Sequence, residues 1–183
     1  MIIGINKRRF SFFVFWIVLA ITASVGYKPF MKAYFYPKKF REYVEPAAEK
    51  YNVDANLIYA VIKAESGFET NAVSHADAKG LMQITDYTAQ WAMEQLGMKG
   101  ADIFSPEVNI TIGTWYISKL LNDNGNNLIT ALASYNAGGS NVKEWQKSAG
   151  TDNIMPEDME FKETENYVNK TMRFYDKYKK LWN

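Results

Sequence analysis

One carboxylate occupies a position where helical spacing calls for an aliphatic side chain. Leu57, Ile58, Val61 and Ile62 recur at i, i+1, i+4 and i+5, the stripe that buries one face of a helix, and Glu65 at i+8 extends it. A carboxylate on that stripe is costly unless it is paired, hydrogen-bonded or protonated. Burial also raises its pKa, which is how a glutamate becomes a proton donor near neutral pH. A plainer reading fits the same wheel: a hydrated glutamate at a frayed helix end, or one paired with a nearby lysine. The pattern nominates Glu65 and leaves both readings open.

Absences narrow the rest of the chemistry. The 183 residues contain no Cys and a single His, His75. Thiolate nucleophiles, disulfides, cysteine-held zinc and sites needing several imidazoles are thereby excluded. A net charge of +1 gives no electrostatic case for nucleic acid, and no phosphate-binding loop is present. An apolar fraction of 48% is ordinary for a globular chain. No cofactor is expected.

The elements that must position Glu65 read as helices. Phe40, Tyr43, Val44, Ala47, Ala48 and Tyr51 mark a first amphipathic segment, which Pro46 is expected to kink or divide. Asp54 suits the N-cap of the helix that ends at Glu65, with Gly67 just beyond it. A turn-rich stretch runs from Glu69 to Lys79, and Gly80 to Ile84 reads as extended chain or a tight turn. Asp86 or Thr85 caps a helix that Gly97 ends. Ser105-Pro106-Glu107 opens another, which continues to Leu121. Leu128 to Ser134 forms an apolar helix, Ser140 is a candidate cap for a short one, and Glu163 to Trp182 forms the last. The fold class is therefore mainly α.

At the N-terminus, Lys7, Arg8 and Arg9 precede the apolar run Phe10 to Val25. Residues 1–26 read as a transmembrane anchor with its N-terminus in the cytoplasm, or as a secretory signal removed by cleavage. The run is short beside the roughly 20 residues of an ordinary span, which tilt or local thinning can offset. Residues 27–39, aromatic and basic with Pro29 and Pro37, read as a juxtamembrane linker, and 40–183 as one catalytic domain.

Five segments stand in order along that domain: Ala64-Glu65-Ser66-Gly67-Phe68, Asn71-Ala72-Val73-Ser74, Gly80-Leu81-Met82-Gln83, Ala133-Ser134-Tyr135-Asn136-Ala137-Gly138 and Glu163-Thr164-Glu165-Asn166-Tyr167-Val168. Each is weak alone. In this order and spacing they resemble the motifs of the soluble lytic transglycosylase family, from about Tyr43 to Tyr175. The resemblance implies a lysozyme-like fold, α+β with little or no sheet, and peptidoglycan glycan strands as substrate. It implies that Glu65 protonates the bond between N-acetylmuramic acid and N-acetylglucosamine. Glu65 then serves as base while the C6 hydroxyl closes a 1,6-anhydro ring, a substrate-assisted variant of glycosidase chemistry.

The same resemblance implies substrate contacts from Ser66, Gly80, Met82, Gln83, Tyr135, Asn136 and Tyr167. Each has a plainer alternative: a helix-end serine bonding backbone, a turn glycine, a core methionine or core tyrosines. Gln83 is better marked, because an amide within an apolar strip needs a partner. Thr85 and Asp86 depart from the usual family pattern after the Gly80 motif, and His75 reads as an exposed loop residue. Two other functions stay open. A hydrolytic lysozyme would use Glu69, Asp77 or Asp86 to hold a water; a non-catalytic glycan-binding protein would stack sugars on Trp91, Trp115 or Trp145, most of which helical spacing assigns to the core.

Overall fold

The computed structural model of the chain describes residues 7–182, which fall into two units: residues 7–38 with 181–182, and 39–180. In the first, α1 (Lys7–Phe30) runs into a π-helical turn, Met31–Phe35. The stretch expected as a linker is thus helical through Phe35. Among the described residues no helix is long and apolar enough to cross a membrane, so the spanning helix expected near Phe10 to Val25 is not observed. Three basic residues open α1, and Lys28 and Pro29 stand in its last turn, which confines the apolar run to the middle. Residues 1–6 of the expected anchor lie outside the described residues.

The second unit holds α2 (Arg41–Tyr51), α3 (Ala55–Glu65), α4 (Asp86–Leu96), α5 (Pro106–Asp123), α6 (Leu128–Ala137), α7 (Gly139–Ala149) and all but the end of α8 (Lys162–Trp182). It is mainly helical, and the described residues contain isolated β-bridges but no strand. Cap chemistry sets most boundaries. Asp54 accepts from the Asn56 N–H, Thr85 from the Thr88 N–H and Asn127 from the Thr130 N–H, while Gly97 and Gly150 end their helices with left-handed geometry. Two expectations need correction. Pro46 does not divide α2, because its missing N–H falls on an exposed face. Gly138, not Ser140, caps α7.

Helix α3 is the centre of the packing. Asn56 to Ile62 are all buried, so this helix is enclosed on every side instead of half-solvated. Tyr59 stacks on Tyr178 of α8 with ring centroids 5.6 Å apart. Helix α5 packs against α2, α4 and α6, and Ile110, Ile112, Leu132 and Trp145 complete the core. An enclosed α3 delivers its last residue, Glu65, at the edge of that core.

Candidate active site

The segment after α3 folds back over its C-terminal end. Ser66 Oγ donates to the Leu81 carbonyl at 2.8 Å and accepts from the Phe68 N–H at 3.1 Å. Lys79 and Ile84 exchange backbone hydrogen bonds at 2.9 and 3.0 Å, and the Gly80 N–H reaches the Ala72 carbonyl at 2.9 Å. Asn109 of α5, fully buried, locks this loop from below. Its Nδ2 donates to the Lys79 and Ile103 carbonyls, both at 2.9 Å, and its Oδ1 accepts from the Met82 N–H at 2.7 Å. Gly80 has φ +76°, and a Cβ there would collide with the Asn109 amide. Glycine is required at this position on both counts.

Glu65 is half-buried by surface area yet closely ringed by protein, so water reaches its edge and bulk solvent does not surround it. Burial pushes its pKa up to about 7. The Tyr167 hydroxyl and the Lys170 ammonium oppose that rise, and the Glu163 carboxylate adds to it. Lys170 also donates to the Ala64 carbonyl at 2.8 Å, which places a cation on the last turn of α3, at the negative end of the helix dipole. Tyr135 projects from the end of α6, and its hydroxyl donates to the Met82 carbonyl at 2.7 Å. Burial, then the Glu65 charge, holds both Tyr135 and Tyr167 well above the usual phenol range, so both stay neutral donors. The Tyr167 hydroxyl makes no hydrogen bond of full geometry, although Glu65 and Thr171 lie within its influence.

A groove opens beside Tyr135. Its cavity of about 350 Å³ is lined by Gln83, Trp91, Tyr116, Tyr135, Asn136 and the Gly138–Gly139 turn, among others. Glu65 is not part of that lining; the two meet through Tyr135, which lines the cavity and feels the Glu65 charge. Tyr116 packs on Tyr135 with centroids 5.4 Å apart, and Trp91 meets Trp115 edge-on at 4.8 Å. Thr164, buried in α8, donates to Asn136 Oδ1 at 2.8 Å, which leaves the amide nitrogen of Asn136 for other partners. Gln83, with φ +50°, turns its own amide nitrogen onto the Gly80 and Ala72 carbonyls at 2.9 and 3.2 Å.

The residues nominated from sequence therefore separate into two groups. Glu65, Tyr135 and Tyr167 converge, and Gln83 and Asn136 line the adjoining groove. Ser66 and Gly80 shape the loop instead: the serine hydroxyl is committed to backbone, and the close approach that Gly80 permits is that of Asn109. Met82 departs furthest from expectation. Its side chain is wholly buried against Gly113, so only its backbone takes part, as acceptor for Tyr135. His75 is exposed, as its loop position suggested.

Sequence reasoning missed Asn109, Lys170 and the groove-lining Tyr116, and weighed Trp91 as a sugar platform only for a non-catalytic protein. Asn109 had a readable signal, since it shares a helical stripe with Ile112, Gly113, Ile117 and Leu120. Lys170 had none, because one lysine on a polar helix face looks like any other.

Comparison with known proteins identifies the arrangement. A family model of the transglycosylase SLT domain matches residues 42–156. The chain belongs to this family. Membrane-bound lytic murein transglycosylase F of Desulfosudis oleivorans is 41% identical to this SLT-domain chain over 117 residues, 61% of the chain and 24% of that protein. The soluble lytic murein transglycosylase of Escherichia coli K12 is 36% identical over 126 residues, 65% of the chain and 19% of that protein. The crystal structure of the 70 kDa soluble lytic transglycosylase of Escherichia coli superposes with a TM-score of 0.77 at 26% identity, over 96% of this chain and 30% of the other. The SLT-domain chain thus spans less than a third of the length of these relatives. Its fold is the lysozyme-like fold they share, with α8 included in the superposition although the family model ends before it.

Proposed function

We propose that this chain is a peptidoglycan lytic transglycosylase. It cleaves the β-1,4 bond between N-acetylmuramic acid and N-acetylglucosamine and leaves a 1,6-anhydromuramoyl end. Glu65 gives its proton to the glycosidic oxygen as the bond breaks, then takes one from the C6 hydroxyl as that oxygen attacks C1. The observation that carries this reading is a closely ringed carboxyl with its pKa pushed up to about 7, beside two tyrosines that stay neutral and next to an aromatic groove. A group of that pKa can both donate and recover a proton near neutrality. Tyr167 acts on the carboxyl and Tyr135 ties the end of α6 to the Met82 loop beside it, while Gln83 and Asn136 offer polar contacts to the sugar and Trp91, Tyr116 and Tyr135 an apolar wall. Ser66, Gly80, Met82 and Asn109 hold the loop that forms one side.

A hydrolytic mechanism needs a second carboxylate across the cleft to hold water. Glu69 is exposed, Glu163, the carboxylate that bears on Glu65, is exposed as well, and Asp86 and Asp77 sit on Lys79 at 2.7 and 3.4 Å. These facts favour the one-carboxyl route.

The chain also carries signs of a membrane location, with Phe12, Phe13, Phe15 and Trp16 exposed on α1. Residues 1–26 would embed with the N-terminus cytoplasmic, and residues 27–39 would join them to an extracytoplasmic catalytic domain at 40–183. Resistance of the full chain to alkaline extraction from membranes tests the embedding.

The activity test is digestion of purified cell wall followed by mass spectrometry. Muropeptides lighter by one water than their reducing counterparts are the expected product. Reducing ends would replace this mechanism with hydrolysis, and full turnover by Glu65→Gln would remove Glu65 from the reaction.

A further inference from the structure

Charge is divided unevenly along the chain. Residues 1–41 hold eight of the 21 Lys and Arg and none of the 20 Asp and Glu, so the remainder has 13 basic against 20 acidic side chains. An asymmetry of this kind points to a polyanionic partner for the basic end. The smaller structural unit shows how that charge is displayed. Lys32 and Lys38 both place their ammonium groups over the ring of Trp182, 4.5 and 5.1 Å from its centroid. The Trp182 indole N–H donates to the Tyr36 carbonyl at 3.0 Å, which fixes the ring's orientation. Lys28 is exposed one turn earlier.

Aromatic side chains interleave with these lysines along the sequence. Tyr27, Phe30, Tyr34 and Phe35 are exposed, Tyr34 to 74%, and Phe30 packs against Tyr34 and Phe35 with centroids 5.1 and 5.8 Å apart. Large aromatic rings interleaved with lysines are poorly placed in bulk water. They suit the boundary layer of a bilayer, where rings sit at headgroup depth and lysine stems lie along apolar surface with the ammonium at the phosphates. A protein partner would call for a patch with matching acidic side chains; a bilayer of acidic lipids meets the same need with a continuous sheet of phosphates.

We infer that Lys28, Lys32 and Lys38, with the Trp182 ring and the exposed aromatic residues of the 27–35 stretch, form a surface that binds the phosphate headgroups of anionic phospholipids. This rests on the proposed membrane location and adds its lipid chemistry. Trp182 comes from the last turn of α8, so two segments far apart in sequence contribute to the surface. The SLT domain is then held at a membrane region rich in acidic lipid.

The test is flotation of the full chain with vesicles of phosphatidylcholine alone or of equal parts phosphatidylcholine and phosphatidylglycerol, at low and high salt. Anionic vesicles are expected to capture more chain, and high salt to abolish that excess. The triple variant K28Q/K32Q/K38Q is expected to lower the anionic preference by on the order of a hundredfold, at about tenfold or less per lysine. K28R/K32R/K38R should retain it, as should a control with Lys99, Lys143 and Lys147 replaced by Gln. Equal capture by both vesicles would overturn the inference. So would a preference that survives in the Gln variant, since it would trace to the other basic residues of this stretch, Lys7, Arg8, Arg9, Lys39 and Arg41. Capture by anionic vesicles alone, fully reversed by salt, would keep the headgroup surface and reject the embedded anchor, so the two readings fail separately.

Discussion

The Lys170 ammonium donates to the Ala64 carbonyl at 2.8 Å, tying α8 to the last turn of α3 one residue before Glu65. The cation caps the negative end of the helix and opposes the loss of hydration at the neighbouring carboxyl. Glu163 acts in the opposite sense from the same helix. One helix thus carries a cation, an anion and a phenol, Tyr167, that bear on the same proton.

This arrangement predicts opposed pH shifts. Glu65 must be protonated for the first step, so activity should fall as pH rises through about 7. Lys170→Met removes a cation, raises the Glu65 pKa and should move that falling limb to higher pH. Glu163→Gln removes an anion and should move it lower. Lys170→Arg should restore the native profile. The measurement is kcat/KM for cell-wall solubilisation against pH; limbs that coincide in all variants would remove both residues from control of Glu65.

Glu65→Gln should abolish turnover while stabilising the fold at alkaline pH. The folded pKa of about 7 lies above the ordinary carboxyl value of 4.5, so the folded state binds more protons than the unfolded chain between them. Stability therefore falls as pH rises through this window, by about 3 kcal/mol for a shift of this size. Glutamine carries no such cost. Thermal unfolding of both proteins from acid to pH 8 should give curves that separate between about pH 4.5 and 7, with the variant higher and the gap constant above neutrality.

Tyr135→Phe and Tyr167→Phe should differ in kind. The Tyr135 hydroxyl makes a 2.7 Å bond to the Met82 carbonyl, and its loss should cost about 1–3 kcal/mol in urea denaturation. The Tyr167 hydroxyl has no fully formed bond to lose, so Tyr167→Phe should leave stability nearly unchanged. Its phenol does favour the Glu65 carboxylate, so the falling limb of the pH profile should rise. Equal stability losses in the two variants would contradict the assignment.

Asn109→Ala should be among the most damaging substitutions outside the groove. It removes three buried hydrogen bonds to Met82, Lys79 and Ile103, at a cost of about 3 kcal/mol or more. Gly80→Ala should also destabilise, since it forces a positive φ on a side chain that meets the same amide. Because both act on one contact, the double variant should lose less than the sum of the singles.

Local chemistry was the most legible part of the sequence. Asp54 and Thr85 cap helices through side-chain bonds to residues two or three positions on, so neighbours alone specify them. The boundaries that went astray needed more than neighbours. Pro46 is tolerated because its face of α2 happens to be exposed, and α7 begins at Gly139 because the Gly138 backbone turns there.

By itself the sequence determined a helical domain with Glu65 on the inner face of its helix, because helical periodicity and the order of motifs are properties of the chain read in one dimension. Tertiary structure alone decided which groups surround that carboxyl. Lys170 lies 106 positions from Ala64 and Tyr135 lies 53 from Met82, and no spacing rule links residues so far apart. It also decided that Met82 and Ser66 belong to the scaffold, since burial is fixed by what packs against a side chain and not by its neighbours in sequence. The proton affinity of Glu65 follows from that packing, because the energy of a charge depends on the three-dimensional medium around it.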